Sequence, residues 1–301
     1  MKKMIVWVIL GVIPAVAAFS QEIEGFPGRS DHIINVDGVD RQFIVYQPAG
    51  LYSLPMPVVF MFHGTGGNGE KFYNISGWKE KADKEGLIAV FPSALTYCIE
   101  ENGRKRNTTK WNEGKLDGYA CPGQVHYDDV LFFREMVRFL QKNYPVDAGR
   151  IYASGFSNGG NFVSRLTLEA SDILAATSIM AGFLQDTSFR AVSLIPSCLA
   201  IGDENIAKKT GKLPPWGEEA LETPVLYRRV MDMVDALELD SVYRYEGTDS
   251  LLCYVFKGEE PRNEFRFYLI RDLPHRYPNG KNHSMVIADL FWDFFRQYRK
   301  E

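Results

Sequence analysis

Hydrophobic positions come in short unbroken bursts, separated by stretches with helical spacing. Residues 41–48 (RQFIVYQP) and 55–62 (PMPVVFMF) read as strands that end at turn residues. The second is apolar almost throughout, as expected of an interior strand of a parallel sheet. Residues 21–40 are expected to hold a leader and the first strand pair. A helical stretch over 78–85, stopped by Gly86, precedes a buried strand at 87–92, the rhythm of a strand–helix–strand unit. From Asp128 onward Val130, Phe133, Val137 and Leu140 recur at helical spacing, with Asp128 or Asp129 as cap or first-turn acid. A strand at 150–156, a helix at 158–170, strands within 174–182 and 191–202, a helix over 222–238, a strand at 264–270 and an amphipathic helix at 284–298 follow. The alternation predicts one α/β domain over 21–301, a mostly parallel central sheet with helices on both faces.

Residues 93–127 break the rhythm. They are polar and glycine-bearing and read as a long loop, with Arg104, Lys105 and Arg106 as a solvated run rather than an anion patch. Trp111 within that loop is expected either to line a pocket or to pin the loop to the body.

Composition adds bounds. With 301 residues, one large α/β domain is sufficient, and a net charge of -4 with both signs interspersed argues against nucleic acid as a partner. Lys2 and Lys3 precede an apolar run to Phe19 that closes in small residues, the layout of a signal peptide over 1–20 cleaved after Ala17 or Ser20. The rival reading is a membrane anchor, for which the run is slightly short. The expected location is therefore secreted or periplasmic, with no stable membrane insertion after signal removal. Export permits disulfides. Of the three complete pairings open to Cys98, Cys121, Cys198 and Cys253, Cys98 with Cys121 is favoured because the two bracket the polar excursion; Cys198 and Cys253 pair or are simply buried. The spacings suggest no zinc cluster, and no metal or cofactor is expected. Oligomeric state is not fixed by the sequence.

The chemistry centres on YASGFSNGGNF, residues 152–162. Ser157 stands in a Gly-x-Ser-x-Gly frame between a strand and a helix, the setting of a nucleophile elbow. A serine hydroxyl needs a base. In this fold the order is serine, acid, histidine, so of His32, His63, His126, His275 and His283 only the last two lie late enough. His275, in the loop after the 264–270 strand, is expected to serve; His283 is expected near the closing helix and solvated. The acid belongs in GDENIAKK after the 191–202 strand, where Asp203 is expected and Glu204 and Asn205 compete by geometry. Oxyanion donors are expected at the backbone of Asn158 and of Thr65 or Gly66 in HGTGG, with His63 bracing that loop.

The chain resembles the secreted esterases grouped with polyhydroxybutyrate depolymerases and feruloyl esterases, in the α/β-hydrolase superfamily. The likeness runs from near residue 40 to the C-terminus through PVVFMFHGTGG, GWKEKADKEGLIAVFPSA, KWNEG, YDDVLFFREMV, VDAGRIYASGFSNGG, LPHRYPNG and IADLFWDFF. It implies Ser157 as nucleophile and His275 as the histidine of a His-x-Trp-Pro-Gly motif, in which Tyr277 here replaces tryptophan and Asn279 precedes Gly280. It also puts Asn205 at the family aspartate position, with Asp203 two residues early. The implied activity is hydrolysis of hydroxycinnamoyl esters on plant cell-wall carbohydrates through an acyl-enzyme. The alternatives are an acetyl or short-chain acyl esterase, a polyhydroxyalkanoate oligomer esterase, a peptidase and, from another class, an impaired carbohydrate- or aromatic-ester-binding protein. Trp111, Trp216 and Tyr277 are the expected substrate-binding aromatics, and the partner is a small-molecule or oligosaccharide ester.

Overall fold

Ten strands pair into one mixed sheet in the computed structural model, which describes residues 27–50, 53–101, 103–260 and 262–301. The expected signal segment, 1–20, lies outside the described residues. In chain order the strands are β1 (Gly28–Val36), β2 (Val39–Gln47), β3 (Met56–Phe62), β4 (Ile88–Pro92), β5 (Thr96–Glu101), β6 (Arg104–Thr109), β7 (Val146–Phe156), β8 (Ala176–Met180), β9 (Ser197–Gly202), β10 (Tyr243–Gly247), β11 (Leu251–Lys257) and β12 (Glu264–Ile270). The helices are α1 (Gly69–Ile75), α2 (Trp78–Glu85), α3 (Asp129–Asn143), α4 (Asn158–Glu169), α5 (Asp203–Thr210), α6 (Pro224–Ala236) and α7 (Ile287–Phe295).

The sheet order is β1-β2-β4-β3-β7-β8-β9-β12-β11-β10. Its centre, from β4 to β12, is parallel, and antiparallel hairpins close both sides. The sequence explains the layout. Every residue of β3, β4, β8 and β9 is buried, as strands covered on both faces must be. Edge strand β1 instead alternates between half-buried and exposed positions.

Helices cover both faces. Phe60 and Phe62 of β3 meet Phe133 of α3 and Phe162 of α4. Tyr152 of β7 is paired with Val59, so its side chain leaves from the opposite face. There it stacks on Phe295 of α7 at 4.7 Å, and Trp78 of α2 stacks on the same ring. Asp128 caps α3 by accepting from the N–H groups of Val130 and Leu131. Its neighbour Asp129 is buried and pairs with Arg41 of β2 at 2.6 Å while accepting from Asn112 N–H at 2.7 Å. That contact joins sheet, helix and the loop that leads to the site.

Three elements depart from the pattern-based expectation. The polar stretch 93–127 contains the β5–β6 hairpin, a separate two-stranded sheet pinned by the Cys98–Cys121 disulfide. β6 is polar throughout and carries no apolar alternation to announce a strand, and in β5 the alternation is confined to Tyr97 and Ile99. Residues 203–210, expected as a loop, form α5, whose charged sequence hides a short helix. The β10–β11 hairpin was also unmarked; Tyr243 and Tyr245 both pack on Tyr254, a period-2 pairing of aromatics. Cys198 is buried and Cys253 partly so, and both are free thiols. Among the described residues, no helix is long and apolar enough to cross a membrane.

Candidate active site

Strand β7 ends at Ser157, whose φ of 55° and ψ of -120° put a non-glycine residue in the left-handed half of conformational space. The turn holds because its surroundings leave no alternative. A Cβ on Gly159 would sit 2.3 Å from the Phe62 carbonyl oxygen, and one on Gly155 would sit 2.2 Å from that of Gly159. Helix α4 therefore starts hard against the end of β3. Ser157 N–H donates to Met180 O at 2.9 Å and its carbonyl accepts from Asn161 N–H at 2.8 Å. With the backbone fixed on both sides, the hydroxyl stands free at the start of α4, where the helix dipole favours negative charge.

His275 meets it. Its Nε2 lies 2.9 Å from Ser157 Oγ. The loop after β12 reaches this place by passing very close to β9: a Cβ on Gly202 would lie 1.8 Å from the Leu273 carbonyl oxygen. The Phe156 ring, 5.1 Å from the imidazole, backs the histidine. Burial of the ring, and then the ammonium groups of Lys209 and Lys208, hold its pKa below the ordinary histidine value. The imidazole is thus neutral at pH 7, the form that can take a proton.

Asp203 is not joined to His275. Its Oδ1 accepts from Glu204 N–H at 2.6 Å and from Leu273 N–H at 3.4 Å, so it ties the start of α5 to the histidine loop. Burial pushes its carboxyl above the usual range, partly countered by those N–H groups. Among the described residues, no carboxylate lies within salt-bridge distance of His275. Asn205, one turn into α5, lines the same cleft as Ser157 and His275. Asp203, the expected acid, thus makes its hydrogen bonds to backbone N–H groups rather than to His275, and the helical start of α5 puts Asn205 rather than Asp203 on the cleft.

The oxyanion donors divide. Asn158 is the first helical residue, so its N–H has no partner within the helix. Gly64 packs so closely on the nucleophile that a Cβ there would lie 3.2 Å from Ser157 Cβ, and Thr65 is the next residue of that loop. Gly66, the alternative donor, is excluded because its N–H is spent on Thr109 O at 2.9 Å. His63 braces this loop. Its Nδ1 donates to Gly64 O at 2.8 Å and its Nε2 accepts from Ala94 N–H at 3.0 Å. Burial lowers its pKa to about 4, so it is a neutral strut.

None of the three expected substrate-binding aromatics lines this cleft. Trp111 is fully buried, stacked on Phe162 at 5.4 Å, with its indole N–H on His63 O at 2.9 Å. It pins the loop. Tyr277 is also buried, edge-on to Phe72 and Phe156, and so supports the site from beneath. Trp216 bonds to Thr248 O at the β10–β11 hairpin under the Arg271 guanidinium. Besides Ser157 and His275, the cleft is lined by Asn161, Ala181, Phe183, Gln185, Asn205, Lys208, Lys209 and Arg229.

Sequence reading missed Glu113. It is buried behind the elbow, accepts from the Tyr119 hydroxyl and takes a long 3.4 Å bond from Asn158 Nδ2. Burial raises its pKa to about 7. The only available signal was an acid two residues beyond a buried tryptophan, in a segment that looked like solvated loop.

A family model named Esterase matches residues 35–250. The chain belongs to the Esterase family. It is 28% identical over 143 residues to feruloyl esterase B of Talaromyces funiculosus, covering 47% of this chain and 36% of that protein. With feruloyl esterase B of Thermothelomyces thermophilus it shares 25% over 182 residues, 60% of this chain and 54% of the relative. With the poly(3-hydroxybutyrate) depolymerase of Ralstonia pickettii it shares 26% over 174 residues, 54% and 33% respectively. The matches thus span about half or less of these relatives. Among solved structures, an acetyl xylan esterase from Aspergillus awamori superposes with a TM-score of 0.59 over 88% of this chain and 99% of that one, at 13% identity. An S-formylglutathione hydrolase from Agrobacterium tumefaciens gives 0.54 over 88% and 93%, at 14% identity. The Esterase chain has the α/β-hydrolase fold.

Proposed function

We propose that this protein is a serine carboxylic ester hydrolase working through an acyl-enzyme, and that residues 21–301 form one catalytic domain exported by removal of 1–20. The observation that carries the reading is the 2.9 Å approach of His275 Nε2 to Ser157 Oγ on a strained elbow. His275 takes the serine proton as Oγ attacks the ester carbonyl. The N–H groups of Asn158 and Thr65 receive the oxyanion. His275 then returns the proton to the leaving alcohol, and water, activated by the same imidazole, releases the acid. The resemblance puts Asn205 at the family's acid position, and the reading therefore has the imidazolium form without a paired carboxylate, which slows the chemical step. Esters of hydroxycinnamic acids with plant cell-wall carbohydrates are the first substrate class, supported by likeness to two proteins named feruloyl esterase B.

The test is a panel of methyl ferulate, p-nitrophenyl acetate and p-nitrophenyl butyrate with the Ser157→Ala variant beside the native protein. Ser157-dependent turnover of methyl ferulate supports the full reading. Turnover of the acetate alone moves the substrate class to short acyl esters. No Ser157-dependent turnover of any ester overturns the hydrolase.

A further inference from the structure

The cleft in front of Ser157, about 530 Å³ in volume, has a wall of one charge. Helix α5 presents Asn205, Lys208 and Lys209 at three- and four-residue spacing, so the three share a face. Helix α6 adds Arg229. Phe183 lies between them, with Lys209 Nζ 5.3 Å and the Arg229 guanidinium 5.5 Å from its ring centre. No aspartate or glutamate lines the cleft among the described residues. The nearest ion pairing is a loose one: Asp232 Oδ2 lies 3.8 Å from Arg229, which also donates to Leu184 O. Lys208 and Lys209 have no carboxylate within salt-bridge distance among the described residues, though the protein as a whole is acidic.

Such a wall has a chemical cost. Two ammonium groups beside His275 oppose the imidazolium that the reaction must form, and Asn205 does nothing to offset them. A site for neutral esters gains nothing from this arrangement. A substrate with its own negative charge gains twice, by pairing with the wall and by cancelling the field on His275.

Resting on the hydrolase reading above, we propose that Lys208, Lys209 and Arg229 form a carboxylate-binding subsite, and that the preferred substrates are esters bearing a free carboxylate on the part that reaches α5 and α6. The carboxylate belongs either to the acyl group, as in a dicarboxylic acid monoester, or to the alcohol, as in an acylated hydroxy acid or uronate.

Matched pairs separate the two sources. For the acyl side, p-nitrophenyl hemiglutarate is compared with p-nitrophenyl butyrate. For the alcohol side, 4-acetoxybenzoate is compared with its methyl ester. In one pair the charged member is expected to have a kcat/KM about tenfold above its neutral partner in low salt, once the Ser157→Ala background is subtracted, and 0.5 M NaCl is expected to erase most of the preference. In the Lys208→Met/Lys209→Met double variant the charged-to-neutral ratio is expected to fall toward one. A ratio near one in both pairs for the native protein, or a ratio unchanged in the double variant, overturns the subsite. Calorimetry on Ser157→Ala keeps this result apart from failure of the hydrolase. Salt-sensitive binding of 4-acetoxybenzoate about tenfold tighter than its methyl ester supports the subsite even without turnover. Equal binding of the charged and neutral members in both this pair and the hemiglutarate–butyrate pair overturns it.

Discussion

Asn158 and Trp111 hold each other by both ends. Trp111 N–H donates to Asn158 Oδ1 at 2.7 Å, and Asn158 Nδ2 donates to Trp111 O at 3.2 Å. The residue after the nucleophile is thereby clamped to the buried loop that also holds His63 O. Asn158→Ala leaves the buried Trp111 N–H unsatisfied, which costs about 1–3 kcal/mol. Urea unfolding is expected to show that loss. The ester kcat/KM is expected to fall with it, because the Asn158 N–H loses its anchor.

The elbow depends on a glycine that no side chain can replace. Gly159→Ala would drive a Cβ into two backbone carbonyl oxygens, those of Phe62 and His63 at 2.3 and 2.4 Å. Neither belongs to a flexible side chain, so the loss is expected to be at least about 3 kcal/mol. Ser157→Gly, in contrast, relieves the positive φ and is expected to be about 1 kcal/mol more stable than Ser157→Ala in the same assay.

Positions 203 and 205 make opposite predictions. If Asp203 oriented His275, Asp203→Asn would cost about 10⁴-fold in turnover. Its carboxylate instead holds the Glu204 and Leu273 N–H groups, so a loss below about tenfold is expected. Asn205→Asp introduces a carboxylate into the cleft that His275 also lines. It is expected to raise kcat on a neutral ester at least about tenfold and to raise the acidic limb of the pH–rate profile. Steady-state kinetics on p-nitrophenyl acetate reads both.

Glu113 sets a pH dependence of stability. Its folded pKa of about 7 lies above the ordinary 4.5, so the folded state holds the proton more tightly. The resulting stabilisation is complete below about pH 4.5 and is lost as pH rises through 7, an effect on the order of 3 kcal/mol. Glu113→Gln removes it. Relative to the native protein, the variant is expected to gain about 2 kcal/mol or more between pH 5 and pH 8 in urea unfolding. A difference independent of pH would contradict the account.

The parts of this molecule that were legible in the sequence share one property: their signal is local. Buried strands such as β3 and β4 are unbroken apolar runs, and the glycines around Ser157 advertise a turn with no room. The histidine was found by its place after a late strand. What failed depended on direction rather than position. Asp203 and Asn205 are two residues apart, and only the helical start of α5 decides which one faces the cleft. Trp111 and Tyr277 sit in loop sequence, yet packing draws both inward. Lys208 and Lys209 fall in a segment expected as loop, and only α5 and α6 together bring them onto one cleft with Arg229.

The central claim is that Ser157 is a nucleophile activated by His275. Intact-mass analysis after treatment with a serine-directed phosphonate tests it most directly. One adduct per chain is expected, mapping to Ser157, absent in Ser157→Ala and at least about 100-fold slower in His275→Ala. An unlabelled native protein, or labelling that survives Ser157→Ala, would contradict it.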